Sequence, residues 1–152
     1  MSFKLFDVLN FDLIHMVKLT FAPSICSFIE KSNQFSPLLA VGEVDQPILR
    51  VIRAEQTVAL NENTSDQRQN GPSIAKTLKD LHSSPVRLIK FNKLYEVVFS
   101  TDQSGVIEVW NPETYDFPTD SNLKFDCLSD TGLFELVEKE TYALAMEFSP
   151  DC

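Results

Sequence analysis

Glycine is scarce: only four occur in 152 residues, at positions 42, 71, 105 and 132, too far apart to build a backbone cradle for phosphate. That spacing argues against nucleotide binding. The three cysteines, Cys26, Cys127 and Cys152, are odd in number and include no C-x-x-C pair, so they form neither a disulfide framework nor a zinc site. They read as small hydrophobes of an intracellular chain. No stretch approaches the roughly 20 uninterrupted apolar residues of a membrane span. Lys4, Asp7, Asp12 and Lys18 interrupt the N-terminal segment, where a signal peptide keeps an apolar run. Basic residues are also short: 13 Lys and Arg stand against 22 Asp and Glu, a formal charge of −9 that repels nucleic acid and anionic lipid. The excess is uneven, since residues 1–76 hold 7 basic and 8 acidic side chains while residues 77–152 hold 6 and 14.

What is present is enough apolar material for one domain, 43% of the residues, with 12 Phe. The apolar runs are short, rich in Val, Ile, Leu and Phe, and bounded by Pro, Asn, Asp and Gly, which is a strand pattern. It predicts strands over 3–6, 14–19, 25–30, 38–42, 48–53, 74–78, 86–91, 96–100, 106–110, 133–137 and 144–148, and hence an all-β chain. Helical spacing is conceivable over 8–19 and 133–144. Residues 54–73 turn to Gln, Asn, Glu, Ser and Thr and read as a surface loop, as does a second polar connector from Asn111 to about Asp130.

Strand entries recur at Ile25, Val86 and Leu144, and subtracting the two connectors leaves about 40 residues per unit, the period of a β-propeller blade. The unit that begins Leu81-His82 and runs to Trp110-Asn111 resembles a WD repeat. The resemblance implies a structural hydrogen-bonded set of His82, Ser100, Ser104 and Trp110, with Ser104 standing where the family has Asp and Asp102 as a shifted acceptor. The fold expected is therefore all-β, a partial WD-repeat β-propeller of about two and a half to three blades. Its expected divisions are 1–20 as the end of one blade, 21–80 as a blade carrying the loop 54–73, 81–140 as a blade and 141–152 as the start of the next. Seven blades need roughly 280 to 315 residues, so an open fragment with self-associating blade edges is expected.

Four longer strings narrow the resemblance: Phe6-Asp-Val-Leu-Asn-Phe-Asp-Leu-Ile-His-Met-Val-Lys-Leu19, Leu81-His-Ser-Ser-Pro-Val86, Ser100-Thr-Asp-Gln-Ser-Gly-Val-Ile-Glu-Val-Trp110 and Asp130-Thr-Gly-Leu-Phe-Glu-Leu136. They are similar to the WD-repeat portion of the family of peptidyl-prolyl isomerase domain and WD-repeat containing proteins. That resemblance implies a nuclear, spliceosome-associated chain. It also implies that the cyclophilin domain of such proteins lies outside these residues, leaving no catalytic residue, no metal and no cofactor here.

Other motifs carry less. Asp130-Thr131-Gly132 has the letters of an aspartic protease but lacks the apolar strand leading into it. Ser83, Ser84, His15 and His82 have no Gly-x-Ser-x-Gly elbow or supporting carboxylate at a motif spacing. The expectation is a non-catalytic protein-interaction scaffold in mRNA splicing, with spliceosomal proteins as partners and neither nucleic acid nor membrane as a direct ligand. Loops around Asp45, Gln46 and Gln103, and the acidic connector with Asp116 and Asp120, are the expected contact points. The alternatives are peptidyl-prolyl isomerisation, as in the parent family, and an independent β-sandwich binding domain.

Overall fold

The structure, a computed structural model, describes residues 1–32, 37–53, 74–119 and 141–149. The described strands are β1 (Ser2–Phe6), β2 (Leu13–Lys18), β3 (Pro23–Ile29), β4 (Leu38–Glu43), β5 (Leu49–Arg53), β6 (Ile74–Leu78), β7 (Val86–Asn92), β8 (Val97–Asp102) and β9 (Ile107–Trp110). Every pairing joins consecutive strands and is antiparallel. The sheets are β1-β2, β3-β4-β5-β6 and β7-β8-β9.

Local chemistry explains the turns. Asp7 accepts from the Leu9 amide at 2.8 Å and lets Phe11 take φ 58°, which ends β1 and reverses the chain where helical spacing was conceivable. Asn92 accepts from the amides of Leu94 and Tyr95, both at 3.0 Å, and Glu96 at φ 52° completes that turn, so β8 begins at Val97. Gly105 at φ 89° closes the β8–β9 turn, a backbone conformation that glycine adopts without a steric cost.

Strand alternation sends the middle sheet's side chains into two cores. Leu38 and Ala40 of β4, with Ile29, Leu49 and Val51, pack on Val86, Ile89, Val98 and Trp110 of the third sheet. Leu39, Val41 and Ile52 turn the other way, onto Leu19, Phe21 and Phe3. The middle sheet is thus covered on both faces, which is why β4 reads as an unbroken apolar run where a one-sided strand alternates. Burial of each such side chain is worth about 1.5–3 kcal/mol, so these two layers hold the stack together. At its edge Lys31 pairs with Glu113, and Lys93 reaches Glu30 at 2.7 Å, both between the middle and third sheets.

The propeller expectation is corrected here. Its blades are four-stranded sheets repeated around an axis, whereas the described sheets hold two, four and three strands. Spacing between strand entries measured the length of a chain unit and said nothing about how many strands each sheet collects. Residues 144–148, expected as a strand, form none. Their alternation suits a strand, but their described contacts are made by side chains: Phe148 packs on Phe99 and Glu147 pairs with Lys90. What stands is an all-β arrangement of stacked antiparallel sheets. The expected loop 54–73 and strand 133–137 lie outside the described residues.

Gly42 of β4 lies beside its ladder partner Ile25 and faces Val86 of the third sheet. A Cβ there would lie 2.9 Å from Ile25 Cγ2 and 3.4 Å from Val86 Cβ, and both neighbours belong to stiff β-branched side chains. Gly42→Ala is expected to lower the unfolding free energy by about 1–3 kcal/mol in urea titration. An unchanged midpoint would show that the sheets are free to separate at this point.

Candidate functional site

Four of the five residues expected in a structural set meet in one buried network. His82 lies in the turn between β6 and β7. Ser100 and Asp102 alternate on the core-facing side of β8 with Val98, and Trp110 ends β9. Ser100, Asp102 and Trp110 are wholly buried and His82 is 5% exposed.

The hydrogen bonds run in one direction. Trp110 Nε1–H donates to Ser100 Oγ at 3.2 Å, and Ser100 Oγ–H donates to His82 Nε2 at 2.7 Å. His82 Nδ1–H donates to Asp102 Oδ2 at 3.2 Å. This assignment places the ring proton on Nδ1, because the indole has only a donor and the carboxylate only acceptors. The second carboxylate oxygen accepts from Ser104 N at 2.9 Å, Ser104 Oγ at 2.7 Å and Val106 N at 3.1 Å. Asp102, not Ser104, therefore holds the histidine, while Ser104 caps the carboxylate and helps form the turn. One carboxylate thus braces both the histidine and the β8–β9 hairpin.

Burial holds the His82 pKa below its ordinary 6.5, outweighing the Asp102 charge and hydrogen bond that act to raise it. The ring is neutral at pH 7, as the chain of donors requires. Glu108, paired with Ser100 across the β8–β9 ladder, moves the other way: burial, and secondarily the Asp102 charge, raise its pKa.

Ser100, His82 and Asp102 have the order of a nucleophile, a base and an orienting carboxylate. Acyl transfer from this arrangement is blocked, since Ser100 has no exposed surface and the indole N–H occupies its oxygen. The set's chemical capacity is positional: its buried side chains satisfy one another's polar groups.

The expected contact residues do not converge. Asp45, at φ 56°, and Gln46 are exposed on the β4–β5 turn, and Gln103 is exposed on the β8–β9 turn. These two turns share one end of the stack, because Gly42 near the end of β4 abuts Val86 and Val86 pairs with Asp102. Asp116 follows β9 at the opposite end of the third sheet, where it lines a cleft of about 350 Å³ with Tyr115, Lys76 and Leu81. Asp120 lies outside the described residues. Sequence reading missed Asn92, whose position before Lys-Leu-Tyr between two apolar runs was a readable turn signal. The Lys31–Glu113 pair spans 82 positions and leaves no such local signal.

No protein-family profile matches the chain. Among curated proteins it is 34% identical over 150 residues to "Peptidyl-prolyl cis-trans isomerase cyp15" of Rhizopus delemar, covering 99% of this chain. It is 30% identical over 148 residues to "Peptidyl-prolyl cis-trans isomerase CYP71" of Arabidopsis thaliana, covering 97%. It is 32% identical over 152 residues to "Peptidylprolyl isomerase domain and WD repeat-containing protein 1" of Homo sapiens, covering 99%. The chain spans 21% of the length of each of these relatives.

These names correct the expectation of a repeat-only, non-catalytic scaffold. Isomerase stands in each of them, and the matches run across 97–99% of this chain, which favours the isomerase alternative over the scaffold. The expectation that this chain has no isomerase role is corrected on the same ground, the names being those of proteins of which the chain spans 21%.

Two outcomes test the buried set. Ser100→Ala leaves the Trp110 N–H and the His82 ring unpaired and is expected to cost about 1–3 kcal/mol for each group in chemical unfolding. Because the folded-state pKa of His82 lies below 6.5, the unfolded chain binds the extra proton first as pH falls. The contribution of His82 is complete above about pH 6.5 and shrinks below it. Unfolding free energies compared at pH 7.5 and 5 are expected to fall more for the parent chain than for His82→Gln, and equal falls would place the titration elsewhere.

Proposed function

We propose that this chain functions in peptidyl-prolyl cis–trans isomerisation, the activity for which its relatives are named. The observation that carries the reading is the match over 97–99% of the chain to proteins bearing that name. The reaction breaks no bond. It rotates an X–Pro amide past a barrier of about 18–20 kcal/mol, and it is accelerated by a surface that binds the twisted amide more tightly than either planar isomer. Such a surface needs rigid support more than a strong acid or base. The buried His82 set supplies rigidity of that kind to β7–β9 and contributes no group to the rotation.

Proteins are the partners in this reading and the nucleus its place of action. Both rest on the resemblance of the strings at 6–19, 81–86, 100–110 and 130–136 and, for proteins over nucleic acid, on the charge of −9. The divisions 1–20, 21–80, 81–140 and 141–152 stand within the same proposal.

The test is the exchange rate of an Ala-Pro peptide measured by NMR, with this chain and with a protein of the relatives' full length. The expected result is exchange by this chain faster than the uncatalysed interconversion, which takes tens of seconds. Catalysis by the long protein alone, with this chain at the uncatalysed rate, would contradict the assignment of isomerisation to these residues.

A further inference from the structure

β6 forms the outer edge of the middle sheet, and among the described residues its free side meets no other strand. In an antiparallel sheet every second residue of an edge strand points its N–H and C=O away from its neighbour, so β6 presents a row of unpaired backbone groups there. No backbone group of a described turn or loop bonds to them. The opposite edge of the same sheet differs, since β3 lies against β7.

The cleft of about 350 Å³ runs along this edge and falls at the lower end of the size range of ligand pockets. Its lining takes Lys76, Thr77 and Leu78 in succession. Consecutive side chains of a strand point to opposite faces of the sheet, so a cleft that touches all three follows the backbone edge and not one face. The turn after β9 supplies the other wall with Tyr115 and Asp116. That turn is closed by two bonds: the Tyr115 amide donates to the Asn111 carbonyl at 2.8 Å, and the Asn111 amide donates to the Asp116 carbonyl at 2.9 Å. It holds Tyr115 at φ 64°, a conformation that is strained for a bulky residue, and seats its ring against the core. Lys76 Nζ lies 5.6 Å from the ring centroid. Lys76 and Lys79 are exposed, and among the described residues neither pairs with a carboxylate.

We propose that the free edge of β6 and the Tyr115 turn form a docking site for an extended segment of a partner protein, which adds to the middle sheet as a fifth strand. The segment's chemistry follows from the side chains around the cleft. Lys76 and Tyr115 meet, so they address one face of the added strand. That face carries an acidic residue for Lys76 and, two positions away, an aliphatic one for the Tyr115 ring and Leu81. Although the chain's charge is −9, β6 itself contains a lysine and no carboxylate, so a single acid is attracted there. Asp80 and Asp116 flank the cleft and repel a second acid, which sets one acidic residue apart from an acidic run. A second copy's β6 brings the same unpaired lysine and is disfavoured as the added strand. The site shares no residue with the His82 set and does not depend on the isomerase reading.

The test uses the whole chain and the end-blocked peptide Thr-Ile-Glu-Val-Leu-Thr, with amide exchange read by NMR and affinity by fluorescence anisotropy. The peptide is expected to slow solvent exchange at alternate amides of β6. N-methylation is expected to divide the peptide's amides into two alternating sets, one that weakens binding about tenfold and one that leaves it unchanged, because only one edge of the added strand faces β6. Lys76→Glu is expected to weaken binding about tenfold, and a peptide with Lys in place of its Glu is expected to restore it. Weaker binding of that Lys peptide to the parent chain reads the same contact without altering the protein. No binding at millimolar peptide, equal effects of the two methylated sets, or indifference to the Lys76 charge would overturn the proposal. Slow exchange at the same β6 amides without peptide would overturn it too, since in a monomer the chain itself, and in a dimer a second copy, would then cover the edge.

Discussion

A buried carboxylate and a buried imidazole cannot be enclosed without partners, and that constraint organises the third sheet. Asp102 and His82 have no side-chain exposure, and an unpaired charge there would cost several kcal/mol. The chain meets the demand with residues from three elements: the turn before β7 brings the ring, β8 brings the acceptors and β9 brings the indole. Each must be in place for the others to be satisfied. The consequence is positional precision, because a shift of one residue in the β8–β9 register would turn Ser100 or Trp110 to the opposite face.

The middle sheet depends on the same enclosure. Trp110 is both the last donor of the network and a wall of the core shared with Ile29, Leu38 and Leu49. Packing against the middle sheet therefore holds the indole where Ser100 can accept from it. Fixing the indole, in turn, keeps that wall in place. Gly42 permits the close approach, and the Lys31–Glu113 and Lys93–Glu30 pairs tie the rim, the second, exposed on both sides, with a contribution that solvent keeps small.

Much of this was legible from local pattern. The strands from β1 to β9 announced themselves as short apolar runs between turn residues, within a few positions of their observed ends. The departures came from turns: Asn92 delays β8 to Val97, and Asp7 with Phe11 at positive φ replaces a conceivable helix by a hairpin. The pairing of His82 with Ser100 and Trp110 came from a family pattern, while the choice of Asp102 over Ser104 depended on which oxygen the β8 face turns inward. Sheet size and stacking were not legible, because they follow from contacts between residues distant in the chain. Residues 144–148 show the limit of alternation, since a strand pattern makes a strand only where another strand offers its backbone.

The account rests on the direction of the hydrogen bonds through His82. Long-range nitrogen-15 correlation spectra of the imidazole at neutral pH measure it directly. The structure predicts a proton on Nδ1, an acceptor shift at Nε2 and slow exchange of both that proton and the Trp110 indole N–H. A proton on Nε2, or rapid exchange at either group, would contradict the network and with it the explanation of how the third sheet is held.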